Sequence, residues 1–119
     1  MRRLLVSIGV GGGLLAATAT ASAATPQTLT GTVGPGFTIS LKAHSKPVKQ
    51  LAPGSYIFVI HDASSIHNFH LIGPGVNKKT TVGGVGKTTW RLTLRSGTYR
   101  FICDPHATLM KGKFIVRAP

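Results

Sequence analysis

The sequence predicts an all-β domain, an antiparallel Greek-key sandwich of about seven short strands, preceded by an N-terminal export signal. Apolar and polar residues alternate with period two in segment after segment between residues 28 and 117. Gly and Pro clusters punctuate those segments at short intervals, and no segment downstream of the leader keeps a convincing helical period.

The first element is the leader. Arg2 and Arg3 precede an apolar, glycine-rich stretch from Leu4 to Ala19 that ends in Ala21-Ser22-Ala23, which reads as a secretory signal peptide (residues 1–23) cleaved after Ala23. The stretch is short for a membrane span, so an uncleaved anchor ranks second. The arginine pair fits general and twin-arginine export equally. Residues 24–119 then form one domain with no room for a second.

Seven strands are expected within it: Thr28–Val33, Phe37–Lys42, Ser55–His61, His67–Ile72, Thr88–Arg95, Thr98–Cys103 and Lys113–Arg117. Gly34-Pro35-Gly36, Pro53-Gly54, Gly73-Pro74-Gly75 and Ser96-Gly97 supply turns between them, because Gly permits positive φ and Pro fixes it. In the fifth strand Trp90, Leu92 and Leu94 alternate with Arg91, Thr93 and Arg95, giving an apolar face and a solvated basic one. Residues 43–54 and 74–87 are the longest irregular connections. Gly83-Gly84-Val85-Gly86-Lys87-Thr88-Thr89 imitates a nucleotide-binding loop, but Thr81 stands at its leading glycine position and a strand pattern follows where a phosphate-binding helix is needed. No nucleotide is expected there.

The single cysteine is the chemical focus. A lone Cys in an exported chain cannot form an internal disulfide, and Cys103, His106 and Met110 fall within eight residues. A thiolate, an imidazole and a thioether suit a soft one-electron copper ion, and those neighbours outweigh the bland reading of a buried inert thiol. If Tyr99, Phe101 and Cys103 share a strand face, the aromatics enter the core and the sulfur points inward at the strand's end. His106 and Met110 then lie on the loop just beyond. The second imidazole must come from another strand. His67 fits, because Phe69 and Leu71 share its side, while His70 falls on the opposite face and remains the rival. His44 and His61 read as surface residues.

Two segments resemble the cupredoxins, the plastocyanin and azurin relatives: Ile66-His67-Asn68-Phe69, and Tyr99-Arg100-Phe101-Ile102-Cys103-Asp104-Pro105-His106 followed by Met110-Lys111-Gly112. The resemblance implies one type 1 copper ion, cycling between Cu(I) and Cu(II), held by His67, Cys103, His106 and an axial Met110. It implies that Asn68 ties the two ligand-bearing segments together. Pro105 removes a backbone donor near the sulfur, which favours Cu(I). Three residues separate His106 from Met110, against four in plastocyanin-like loops and two in the amicyanin type. The alternative role for Met110 is to cap the core beneath the loop. Ile102 stands where many plant-type relatives carry an exposed tyrosine, which argues for electron exit through the His106 edge alone, framed by Gly34, Pro35, Gly73 and Pro74.

The full chain carries 14 Lys or Arg against two carboxylates, and without Arg2 and Arg3 twelve cations remain against Asp62 and Asp104. They are scattered, with only Lys78 and Lys79 adjacent downstream of the leader, so the dense tract of a nucleic-acid tail is missing. The charge is expected to steer transient docking to an acidic redox protein, such as a cytochrome or a copper oxidase or reductase, or weak adsorption to anionic membrane. The expected function is outer-sphere electron transfer by a periplasmic or extracellular monomer. The alternative is a copper carrier or scavenger delivering copper to an oxidase or reductase. No acid, base or nucleophile cluster supports an enzyme.

Overall fold

The structure is a computed structural model that describes residues 9–16 and 25–119. Most of the expected leader, including the cleavage point after Ala23, lies outside the described residues. The strands are β1 (Gln27–Val33), β2 (Ile39–Ala43), β3 (Lys46–Pro47), β4 (Gln50–Leu51), β5 (Gly54–Asp62), β6 (His70–Gly73), β7 (Val76–Lys79), β8 (Gly86–Leu94), β9 (Gly97–Ile102) and β10 (Lys111–Val116). They form two five-stranded sheets, ordered β3-β2-β1-β5-β8 and β4-β10-β9-β6-β7.

The expected β-sandwich is present, with three additions. Connection 43–54 is not wholly irregular: β3 joins the first sheet and β4 the second, so the chain crosses between sheets there. That crossover lets β1 pair with β5 in parallel, Gln27 opposite Tyr56 through Val33 opposite Asp62, and each sheet contains one parallel pair among antiparallel ones. The third addition is β7, which folds back on β6 through Pro74-Gly75. Its residues Val76-Asn77-Lys78-Lys79 bury only the valine, so alternation could not reveal it, and its lysines suit a solvent-facing edge strand.

Leu29, Val33, Phe58 and Ile60 of the first sheet, Leu71, Tyr99, Phe101, Phe114 and Val116 of the second, and Phe69 just before β6 are buried in one core. Phe69 stacks on Phe101 at 5.6 Å and Tyr99 on Phe114 at 5.2 Å between ring centroids. Two glycines make room for those rings. A Cβ at Gly73 would lie 2.2 Å from the Tyr99 ring, and one at Gly112 would lie 2.1 Å from Phe101 Cζ.

Register fixes the polarity of the sandwich. Lys111 sits opposite Ile102 and Val116 opposite Gly97, so β10 starts beside the Cys103 loop and runs away from it. β1 runs the other way, ending at Val33, and Gly34 just beyond it lies beside His67.

Candidate metal centre

Tyr99, Phe101 and Cys103 alternate with half-buried or exposed neighbours and are all buried, which brings the sulfur into the core at the end of β9. The chain then turns through a short 3-10 helix, Asp104–His106, with Pro105 in its first turn. Backbone bonds close this loop on itself: His106 N donates to Cys103 O at 3.0 Å, Met110 N to His106 O at 2.8 Å, and Cys103 N to Met110 O at 3.0 Å. Met110 is fully buried.

His67 reaches the same point from the segment between β5 and β6. The expected strand His67–Ile72 begins only at His70, yet His67, Asn68 and Phe69 are all buried. Phe69 stays extended beside residue 80, its N–H donating to Thr80 Oγ1 and its carbonyl accepting from Thr80 N. The His67 Nε2 lies 2.8 Å from the Gly36 carbonyl, an acceptor, so Nε2 carries the proton and Nδ1 keeps its lone pair. Gly34 and Gly36 adopt φ of +66° and +74°, conformations that favour glycine, and this turn presents the carbonyl to the ring.

Three donor atoms converge. His67 Nδ1 and His106 Nδ1 are 3.1 Å apart, and Cys103 Sγ is 3.6 Å from each. The point equidistant from these atoms lies about 2.0 Å from each, the length of a metal–imidazole bond and about 0.3 Å short of a metal–thiolate bond. Two imidazoles and a thiolate form a donor set that copper accepts in both oxidation states. Among the described residues these are the one group of three His, Cys, Asp or Glu side chains close enough to share an ion.

The exposed rim beside His67 and His106 is mostly apolar. Phe37 presents its ring edge-on to His67 and His106, at 5.3 and 4.9 Å between centroids, while remaining 56% exposed. Ile66 and Leu109 are also exposed, and neither residues 34–38 nor residues 105–110 include a charged side chain other than His106. Phe37, expected in a strand, lies instead before β2, which starts at Ile39. The sequence also predicts Gly73 and Pro74 at the rim. They lie instead at the opposite end of β6, where a Cβ on Gly97 would touch Pro74 and where Tyr99 Oη donates to Pro74 O at 3.2 Å.

Asn68 accepts from Asp104 N at 2.8 Å and donates to Thr80 O at 3.3 Å and to Asp104 Oδ2 at 2.8 Å, joining the His67 segment to the Cys103 loop. His70 points elsewhere: its Nδ1 lies 2.7 Å from Asp104 Oδ1 and its Nε2 2.6 Å from Asn77 Oδ1. Burial acts to raise the Asp104 carboxyl, but hydrogen bonds from His70 and Asn68 and the charges of His70 and Lys79 outweigh it and hold the group below the usual range. Burial pushes the Asp62 carboxyl up, against the opposing hydrogen bond from the Ser64 N–H. His44 and His61 are exposed.

The sequence profile of copper-binding proteins of the plastocyanin/azurin family matches residues 43–117. This chain belongs to that family. No curated protein matches it by sequence. Solved structures similar to this cupredoxin include rusticyanin from Thiobacillus ferrooxidans, 25% identical over 76% of each chain with a TM-score of 0.56. Reduced rusticyanin is 24% identical, over 79% of this chain and 82% of that one, with a TM-score of 0.58. A chain in a heme-copper terminal oxidase dimer is 19% identical, over 76% of this chain and 63% of that one, at 0.51. The cofactor is copper, and the cupredoxin is a copper-binding electron-transfer protein.

Proposed function

We propose that His67, Cys103 and His106 hold one type 1 copper ion with Met110 as a weak axial ligand, and that this exported protein passes single electrons through the His106 edge. The observation that carries the reading is the triangle of two ring nitrogens and one sulfur, with sides of 3.1, 3.6 and 3.6 Å. Bound copper supplies the one-electron Cu(II)/Cu(I) couple.

The chain supplies the rest. The Gly36 carbonyl holds His67 in the tautomer whose Nδ1 is free, and Asn68 fixes the Cys103 loop against the His67 segment, so the donors keep one arrangement in both oxidation states. Pro105 leaves one fewer N–H near the sulfur. His106 is half-buried behind Phe37, within an uncharged surface of Pro35, Phe37, Ile66 and Leu109 suited to brief apolar contact. Cations outside that surface steer an acidic partner toward it, and salt weakens the steering. A fold neighbour within a terminal oxidase structure supports an oxidase as the class of acceptor. Transient docking of this kind suits a monomer.

The test is a Cu(II) titration of purified protein followed by visible absorption, repeated for Cys103→Ala, His67→Ala and His70→Ala. An intense thiolate-to-copper band is expected in the parent and in His70→Ala, and is lost in the other two. A colourless parent, or a band that survives Cys103→Ala, removes the assignment. Met110→Leu should still bind copper, with a raised potential.

A further inference from the structure

His70 is a nearly buried histidine close to the metal centre that supplies no donor to it, and its environment gives it another task. We propose that His70 and Asn77 are positioning residues that brace Asp104, and through it the backbone at Cys103, in the metal-free protein as well as in the loaded one. The proposal rests on Cys103 being a copper ligand only for its consequence; the brace itself is a feature of the polypeptide.

The brace is a closed run of short hydrogen bonds across four segments. Asn77 on β7 meets His70 Nε2 at 2.6 Å, and His70 Nδ1 on β6 meets Asp104 Oδ1 at 2.7 Å. Asp104 Oδ2 accepts from Asn68 Nδ2, and Asp104 N donates to Asn68 Oδ1, both at 2.8 Å. Asp104 is thus gripped at both carboxylate oxygens and at its amide, although its side chain is 37% exposed while that of His70 is 14% exposed. An aspartate at such a surface would ordinarily rotate freely in water.

Both ring nitrogens of His70 are engaged by oxygen, so neither keeps a lone pair directed at a metal. The side-chain amide of Asn77 can present either its oxygen or, turned over, its NH2 group to Nε2, so the brace survives whichever protonation state His70 adopts. Its effect reaches the Cys103 residue through the single peptide bond that joins it to Asp104. With the Asp104 N–H committed to Asn68, that donor is withheld from the adjacent Cys103 thiolate, and the direction of the chain leaving Cys103 is fixed.

The test is amide hydrogen exchange by NMR on the purified metal-free protein, comparing the parent with His70→Ala and His70→Gln. Losing a charge-assisted hydrogen bond should speed exchange at the Asp104 N–H about tenfold in His70→Ala. The Phe58 amide in β5, flanked by β1 and β8, should keep its rate, and His70→Gln, which retains a donor for Asp104, should restore the Asp104 rate to within about twofold. A chelator should then strip copper faster from loaded His70→Ala than from the parent. An unchanged Asp104 rate, or acceleration shared equally by Phe58, overturns the brace. A protein that binds no copper instead defeats the functional reading of the preceding section, while the exchange rates still decide this one.

Discussion

Asn68→Ala should be among the most damaging single truncations outside the three donors. Asn68 is 1% exposed and makes three hydrogen bonds, two with backbone groups and one with the Asp104 carboxylate. At about 1 kcal/mol for each neutral bond and about 2 for the charge-assisted one, truncation costs about 3–4 kcal/mol, and rehydration of the partly exposed Asp104 favours the lower figure. For a domain of this size that corresponds to a fall in Tm of roughly 12–32 °C. Thermal unfolding of the metal-free protein by circular dichroism measures it, and the visible band of the loaded protein reports the accompanying change in ligand geometry. Asn68→Asp is the informative companion. It keeps an acceptor for the Asp104 N–H but sets a second carboxylate against Asp104 Oδ2, so it should be unstable at neutral pH and recover as acid lets the two groups share a proton. A loss under about 1 kcal/mol for Asn68→Ala, with an unchanged spectrum, would refute the idea that this amide holds the two segments together.

Gly112→Ala would force a Cβ to within 2.1 Å of a Phe101 ring that is stacked on Phe69, and overpacking of this kind costs about 1–3 kcal/mol or more. Denaturant unfolding should show that loss and also a copper band shifted from the parent, since Phe101 lies two residues before Cys103; a neutral variant would contradict it. The two carboxylates should oppose each other in acid. Asp104 titrates low when folded, so its stabilisation is complete above its unfolded pKa and is lost as pH falls through the folded value. Asp62 titrates high when folded, so its burial costs stability above its folded pKa and acidification relieves that cost. Between pH 3 and 5.5 the urea midpoint of metal-free Asp104→Asn should therefore rise on acidification. That of Asp62→Asn should fall more steeply than the parent's. Identical pH profiles for all three proteins would count against both assignments.

The sequence disclosed the parts of the site that depend on one strand's parity. Tyr99, Phe101 and Cys103 occupy alternate positions of a regular strand with one buried side, so the sulfur's direction followed from the aromatics. His67 could be preferred over His70 by the same parity, although the ladder starts three residues later than expected, because Phe69 remains extended through its bonds to Thr80. What could not be read depends on distant pairing or on backbone atoms. Strands β3 and β4 are two residues long and carry no period, and the parallel match of β1 with β5 leaves no local trace. The carbonyl that orients His67 comes from Gly36, a residue with no side chain to notice. Phe37 keeps the same parity as Ile39 and Leu41, and only the turn before it lifts its ring out of the strand and over the two imidazoles. The gaps at Gly73 and Gly112 are equally silent, being defined by rings on a neighbouring strand.

The opposed directions of β1 and β10 have an architectural use. Gln27 enters and Val116 leaves at the base of the sandwich, on the side away from Cys103, while Gly34 and Lys111 stand at the end that carries Cys103 and His67. Any graft joined at either extremity, whether a surface tether, a reporter or an electrode linker, therefore holds the cupredoxin by its foot and leaves the end that carries His67, Cys103 and His106 facing outward.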